Sequence, residues 1–230
     1  MTQRYALYFA PATGSPWWEF GSHWLGRDEC LDVQVAQPAL AQIDPAAWHV
    51  ATEQPRHYGF HATLKAPFAL SGGHTLDDLT TRLQALAATL RPVALGPLQA
   101  AMLGDFVALV PVRVPDELAT LATACVTGLD DLRAPLSAAD LQRRRVDHLD
   151  AREQALLNQY GYPYVLERYR LHFTLSGPVA PPLAQRIMQA AAAPVADLNA
   201  LPLVLDRLCL FVESSPGQPF RRVADAELLA

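Results

Sequence analysis

The stretch "YGFHATLKAPF", residues 58–68, places His61, Thr63 and Lys65 at every second position, with Ala62, Leu64 and Ala66 between them. In a strand, successive side chains point to opposite faces, so this spacing puts a histidine, a hydroxyl and a cation on one side and apolar groups on the other. A second stretch, "LHFTLSG" at 171–177, repeats the arrangement with His172 and Thr174. There the alternation groups Arg170, His172, Thr174 and Ser176, and it turns Leu171, Phe173 and Leu175 into apolar packing. Each H-x-T is followed by Leu. One H-x-T match is a weak signal in a chain of this size. Two matches in comparable strands carry much more weight.

Outward from these strands the elements nearly repeat. The first motif is followed by an amphipathic helix over 75–90, with Leu76, Leu79, Leu83, Leu86 and Leu90 in one stripe, and then by a strand pair over 93–114 turning near Gly104-Asp105. The second motif strand, over 169–179, is followed by a helix over 181–194 and strands over 201–214 and 220–228. Before the first motif come a strand over 4–10 that stops at Pro11, a helix over 15–26 with Ser15 as N-cap and Pro16 at its first position, and a proline-rich helical turn and loop over 35–55. Between the halves lie a helix over 115–129, a loop with a short basic helix over 130–150, and a helix over 151–161 ending on Gly161. The expected class is α+β, with two similar lobes packed as one compact unit.

The chain has 230 residues, enough for a substantial core, and a formal net charge of -5. That charge disfavours extended nucleic-acid binding, which calls for a basic surface, but it permits a small pocket with a few local cations. The three cysteines, Cys30, Cys125 and Cys209, are far apart and form no metal-binding spacing, so no structural zinc is expected. Their odd count and spacing suit a reducing compartment. "MTQRYALYFAP" lacks the pattern of a signal peptide, and no stretch has the apolar length of a membrane helix. The expectation is a cytoplasmic protein with no membrane partner.

Paired imidazoles across a cleft can serve as general base and general acid, because their ordinary pKa lies near neutrality. Two threonine hydroxyls can donate to the non-bridging oxygens of a phosphate and stabilise the charge that builds there. In-line displacement at a phosphodiester needs two proton transfers on opposite sides of phosphorus, and no metal or other cofactor is required.

Paired H-x-T strands in such a chain resemble the two-histidine (2H) phosphoesterase superfamily, which includes 2′-5′ RNA ligase-like proteins and cyclic phosphodiesterases. "RYALYFAP", "YGFHATLKAPF", "GYPYV" and "RLHFTLSG" together resemble its phosphonate-operon branch, whose members are encoded near carbon–phosphorus lyase genes. The resemblance runs from residue 4 to about 224. It implies an α+β bilobal 2H phosphoesterase fold, two similar lobes of antiparallel sheet with outer helices around a central cleft, with residues 1–230 as a single bilobal domain. It also implies catalytic roles for His61 and His172, and phosphate binding by Thr63 and Thr174. It also implies a phosphoric diester hydrolase acting on a small phosphorylated substrate from phosphonate breakdown, with 5-phosphoribosyl 1,2-cyclic phosphate as the sharpest candidate. Which histidine is base and which acid stays open at this level. Two other readings stand beside it: an RNA-end enzyme acting on 2′,3′-cyclic phosphates or 2′-5′ linkages, and a non-catalytic phosphate-binding module.

Lys65 and Arg170 share the motif faces by alternation and are candidate phosphate binders; the alternative for Lys65 is a solvated lysine at a strand end. Arg143, Arg144 and Arg145, within "QRRRVD" at 142–147, would suit a second phosphate or simply an exposed helix face. Arg4 or Tyr5 would line the cleft if the first strand faces it. Arg56 and Tyr58 sit where a loop could reach substrate, and His57 reads as a surface residue. Trp17, Trp18 and Trp24 fit the core side of the first helix. "GYPYV" (161–165) reads as a turn leading into the second motif strand.

Overall fold

The computed structural model describes residues 3–137, 140–141 and 148–230. Arg143, Arg144 and Arg145 lie outside the described residues. Strand β1 (Arg4–Phe9) leads into helix α1 (Pro16–Leu25). Ser15 caps that helix by accepting from the Trp18 N–H, and Gly26 ends it with a φ of 81°. The short strands β2 (Arg27–Asp28) and β3 (Val33–Gln34) pair with each other, and helices α2 (Pro45–Ala51) and α3 (Glu53–Tyr58) follow. The first repeat then comprises β4 (Ala62–Phe68), α4 (Leu76–Ala87), β5 (Val93–Ala94), β6 (Leu98–Leu103) and β7 (Phe106–Pro111). Helices α5 (Leu118–Thr127) and α6 (Ala151–Tyr160) separate it from the second, which comprises β8 (Phe173–Pro178), α7 (Pro181–Leu198), β9 (Val204–Leu205), β10 (Arg207–Glu213) and β11 (Arg221–Glu227).

The expected strand pairs do not form two separate sheets. They join one open, antiparallel, seven-stranded sheet of order β11-β10-β1-β4-β8-β7-β6. Its two motif strands, β4 and β8, are central neighbours. Each motif strand keeps its helix in its own half: α4 packs on β10 and β11, and α7 on β6 and β7. The chain then crosses over. The β6–β7 hairpin lies beside β8, and β10–β11 lies beyond β1 on the β4 side. Where the two crossings pass, β5 and β9 pair, Val93 with Leu205 and Ala94 with Val204.

The main core takes Leu7, Phe9, Ala62, Leu64, Phe173 and Leu175 from the central strands and packs them with Trp17, Trp24, Leu79, Leu83, Ile187 and Ala191 from the helices. Burying each large apolar side chain contributes roughly 1.5–3 kcal/mol. Trp17 and Trp24 are core residues, as their spacing predicts, while Trp18 is half-buried and donates its indole N–H to Glu29 Oε1 at 2.8 Å. A smaller cluster of Ala6, Tyr8, Ala10, Cys209, Phe211 and Phe220 occupies the other face of β1 and β10. Helix α7 runs four residues beyond the expected end at 194, because Pro194 is accommodated inside it and Val195 is buried in the core. Among the described residues, no helix is long and apolar enough to cross a membrane.

Candidate functional site

The two H-x-T motifs meet at the centre of the sheet. The antiparallel pair Ala62–Phe173 joins β4 to β8. Each histidine sits one residue before its strand, His61 ahead of β4 and His172 ahead of β8, so this pair brings the two motifs side by side. Ala62 and Phe173 are fully buried in the core, so alternation turns both histidines and both threonines to the opposite face.

Both motif strands carry two more residues than their outer neighbours. Tyr5 to Tyr8 on β1 is matched by Phe68 to Thr63 on β4, and Ala108 to Phe106 on β7 by Thr174 to Pro178 on β8. These bulges bend each strand just past its threonine. On β8, Ser176 bridges the irregularity: its hydroxyl accepts from the Val107 N–H at 3.1 Å and donates to the Gly177 carbonyl at 2.9 Å. On β4, the bulge corrects the alternation-based reading of Lys65. Thr63 lies opposite Tyr8, but Lys65 lies opposite Leu7, a core residue. Lys65 is buried and reaches the C-terminal end of α5, donating to the Val126 carbonyl and to Asp130, each at 2.8 Å. A cation is favourable at that helix end. Burial pushes its pKa down, and Asp130 opposes the shift.

The imidazoles share one mode of anchoring. His61 Nδ1 lies 2.8 Å from the Gly59 carbonyl, and His172 Nδ1 lies 2.8 Å from the Arg170 carbonyl. A carbonyl only accepts, so each Nδ1 carries a proton and each neutral Nε2 presents a lone pair. Thr63 Oγ1 is 3.3 Å from His61 Nε2 and donates to it.

Their surroundings differ. His61 stacks on Tyr8, with ring centroids 3.8 Å apart. Burial pushes its pKa down to about 4, the Gly59 carbonyl opposes that, and the charge of His172 adds to it. The loop that holds it is braced from below. Arg27, itself buried, donates to the carbonyls of Arg56 and His57 at 3.1 and 3.3 Å and to that of Phe220 at 2.8 Å. Gly59 has a φ of 80°, and a Cβ there would lie 2.7 Å from the Glu29 side chain. Glu29 is fully buried, burial raises its pKa, and its Oε2 has no hydrogen-bond partner among the described residues. His172 instead lies 5.7 Å from the Phe106 ring. Burial also lowers its pKa, opposed by the Arg170 carbonyl.

A pocket of about 500 Å³ opens over His61, Thr63 and Thr174, walled by Arg4, Tyr8, Tyr58 and Phe106. A second of about 510 Å³ lies over His172 and Arg170. They share Thr63, Ala66, Phe106 and Tyr162, so they are two parts of one cleft, in the size range of small-molecule sites. Arg170 precedes β8 rather than lying in it, and its exposed side chain lines the His172 part. Tyr58 lines the site as expected; Arg56 turns away, donating to the Leu25 carbonyl and Thr52 Oγ1, each at 2.6 Å. His57 is half-buried in α3, with its Nε2 3.9 Å from buried Glu213. Tyr8 is the main residue that the motifs do not announce. It alternates with Arg4 on β1, but only the pairing with Thr63 shows which face of β1 meets the cleft.

Fold and site define an α+β protein with a paired His-x-Thr cleft at the centre of an antiparallel sheet. Residues 63–221 match the family model described as "Protein of unknown function (DUF1045)", and the chain belongs to that family. It is 40% identical over 221 residues to the ribose 1,5-bisphosphate phosphokinase PhnN of Janthinobacterium sp. (strain Marseille), a match covering 94% of this chain and 49% of that protein. It is also 40% identical over 228 residues to the protein of the same name from Laribacter hongkongensis (strain HLHK9), covering 95% of this chain and 50% of that protein. The chain thus spans about half the length of these curated relatives.

Proposed function

We propose that this chain is a two-histidine phosphoesterase that opens a small sugar cyclic phosphate in phosphonate breakdown, with 5-phosphoribosyl 1,2-cyclic phosphate as substrate. The reading rests on one observation above others: the Ala62–Phe173 pair that brings the two H-x-T motifs side by side, with both imidazoles held at Nδ1. In this reading the halves on either side of the Ala62–Phe173 pair are the two lobes of a 2H fold, and residues 1–230 work as one unit.

The phosphate sits over the seam, its non-bridging oxygens accepting from Thr174 and from Thr63, whose hydroxyl proton turns from His61 Nε2 to the phosphate and leaves that nitrogen free. His61, held neutral by its low pKa, is the base. Its Nε2 takes a proton from water as the water oxygen bonds to phosphorus. The P–O2 bond of the ring breaks in line, and O2 takes a proton from His172 Nε2. The anionic substrate raises the His172 pKa on binding, which supplies that proton. Water is consumed, and the diester becomes a monoester.

The relatives' name fits this product. Opening 5-phosphoribosyl 1,2-cyclic phosphate at O2 yields ribose 1,5-bisphosphate, the compound in the name of the phosphokinases. The kinase step itself belongs, in this reading, to the part of those proteins that the present chain does not match. The sequence has no G-x-x-x-x-G-K-[ST] loop, and its one lysine, Lys65, is buried against Asp130.

The test is phosphorus NMR of the protein with 5-phosphoribosyl 1,2-cyclic phosphate in EDTA, beside His61→Ala and His172→Ala, with a 2′,3′-cyclic nucleotide for comparison. Conversion of the sugar cyclic phosphate to ribose 1,5-bisphosphate, lost in both variants, is expected. Conversion of the nucleotide alone would move the protein to RNA-end processing. Turnover of neither would leave the phosphate-binding module.

A further inference from the structure

We infer that Arg4 forms a second anion subsite, which holds a phosphate at the end of the substrate remote from the reacting diester. This deepens the phosphodiesterase reading above and rests on it.

Among the described residues, Arg4 is the one arginine or lysine lining the His61 pocket. It also lines the adjoining groove, together with Ala66, Pro67 and Arg133. Its head is fixed on two sides. Nε and Nη2 both donate to the Glu213 carboxylate, and the guanidinium lies over the Phe220 ring, 5.6 Å from its centroid. Glu213 is fully buried, and its charge is shared: the Gly217 N–H donates to Oε1 at 3.0 Å and His57 lies 3.9 Å away. The side chain of Arg4 keeps 20% exposure, and its Nη1 has no acceptor among the described residues. Asp140 lines the same pocket, but its Oδ2 is engaged by the N–H and hydroxyl of Ser137, at 3.0 and 2.6 Å. A guanidinium gripped from behind by a buried carboxylate is pre-organised, so little side-chain freedom is lost when its outer edge meets an anion.

The spacing suits a sugar bearing two phosphates. Arg4 and Tyr8 are on the same face of β1, four residues apart, which spans about 13 Å between their Cα atoms. Tyr8 stacks on His61, so the reacting phosphate marks one end of this span, and the Arg4 side chain closes part of the distance from the other. A ribose 1,2-cyclic phosphate carrying a 5-phosphate has its two phosphorus groups at opposite ends of the sugar. The class of substrate assigned is therefore a cyclic phosphodiester with a separate terminal phosphate.

The test compares 5-phosphoribosyl 1,2-cyclic phosphate with ribosyl 1,2-cyclic phosphate, which lacks the terminal phosphate. The variant is Arg4→Gln/Glu213→Gln, which leaves a hydrogen-bonding amide pair where the ion pair stood; Arg4→Gln alone would strand a buried carboxylate and threaten folding. A ribose 5-phosphate titration followed by NMR runs alongside on both proteins. The wild type should prefer the 5-phosphorylated substrate at least tenfold in kcat/KM, and the double variant should lose most of that preference. Equal preference in both proteins, or none in the wild type, would overturn the subsite while turnover itself upholds the phosphodiesterase. If the wild type turns over neither substrate, that reading fails and the titration decides. Tenfold weaker ribose 5-phosphate binding in the double variant then supports the subsite, and equal or absent binding overturns it.

Discussion

The His61 and His172 halves of the cleft share a motif, a Nδ1 anchor and a bulged strand, yet they offer their imidazoles different surroundings. His61 lies under Tyr8, on a loop pinned by Arg27 and backed by Glu29. His172 follows an irregular segment with Leu166 at a φ of 53° and meets one phenylalanine at longer range. The lesson is that the motif sets how each imidazole is anchored, and the residues packed behind it set how far its pKa moves.

Removing either imidazole tests the shared part of that comparison and should have the largest effect. His61→Ala and His172→Ala should each lower kcat by about 10²–10⁴-fold, in the range of general acid–base contributions, with the circular-dichroism spectrum unchanged. A folded variant retaining full turnover would remove its histidine from the mechanism.

The anchors should behave unequally. Gly59→Ala places a Cβ at a positive φ and 2.7 Å from Glu29, which should cost about 1–3 kcal/mol in strain and lower kcat by shifting His61. Arg170→Ala leaves the carbonyl that holds His172, so its expected effect falls on KM, through the side chain lining that part of the cleft. Denaturant melts and steady-state kinetics on both variants separate these outcomes.

Lys65 sharpens the comparison by lying outside it. Lys65→Met breaks a buried ion pair with Asp130, which Arg133 also contacts. It should destabilise the fold by about 1–3 kcal/mol, since Arg133 still pairs with Asp130, while changing kcat/KM less than threefold in folded protein. A large kinetic loss without a stability loss would return Lys65 to the site.

The same comparison predicts a pH dependence of stability. His61 titrates near 4 in the fold and near 6.5 when unfolded. As pH falls from 6.5 towards 4, the unfolded chain binds a proton that the folded chain refuses, so stability declines across that window. His172 and His57 are shifted in the same direction and add to the decline. His61→Gln should flatten it, as read from melting temperatures at successive pH values.

Much of this was legible in the residues. The helices after each motif and the hairpins stand close to where hydrophobic period and turn residues put them, because these signals are local, while β4 and β8 begin three and four residues later than expected. The joining of both halves into one sheet was not legible, since β4–β8 pairing and the crossing of the hairpins are long-range choices. Lys65 shows the limit of strict alternation: one extra residue in β4 sends it to the other face, and nothing in "HATLKAPF" marks the bulge. Arg170 fell short of its strand for a similar reason, because the chain enters β8 only at Phe173. The facing of β1, and with it Tyr8 and Arg4, needed the register against β4.

The central claim is that one sheet pairing brings together two Nδ1-anchored imidazoles, both lowered in pKa by burial, with His61 pushed down to about 4. The most direct measurement is a pH titration of the imidazole nitrogens by proton–nitrogen NMR, assigned with the two histidine variants. The account predicts the Nδ1–H form for both neutral rings, with both titrating below the ordinary histidine value and His61 near 4. Nε2–H forms, or His61 titrating at the ordinary histidine value, would contradict it.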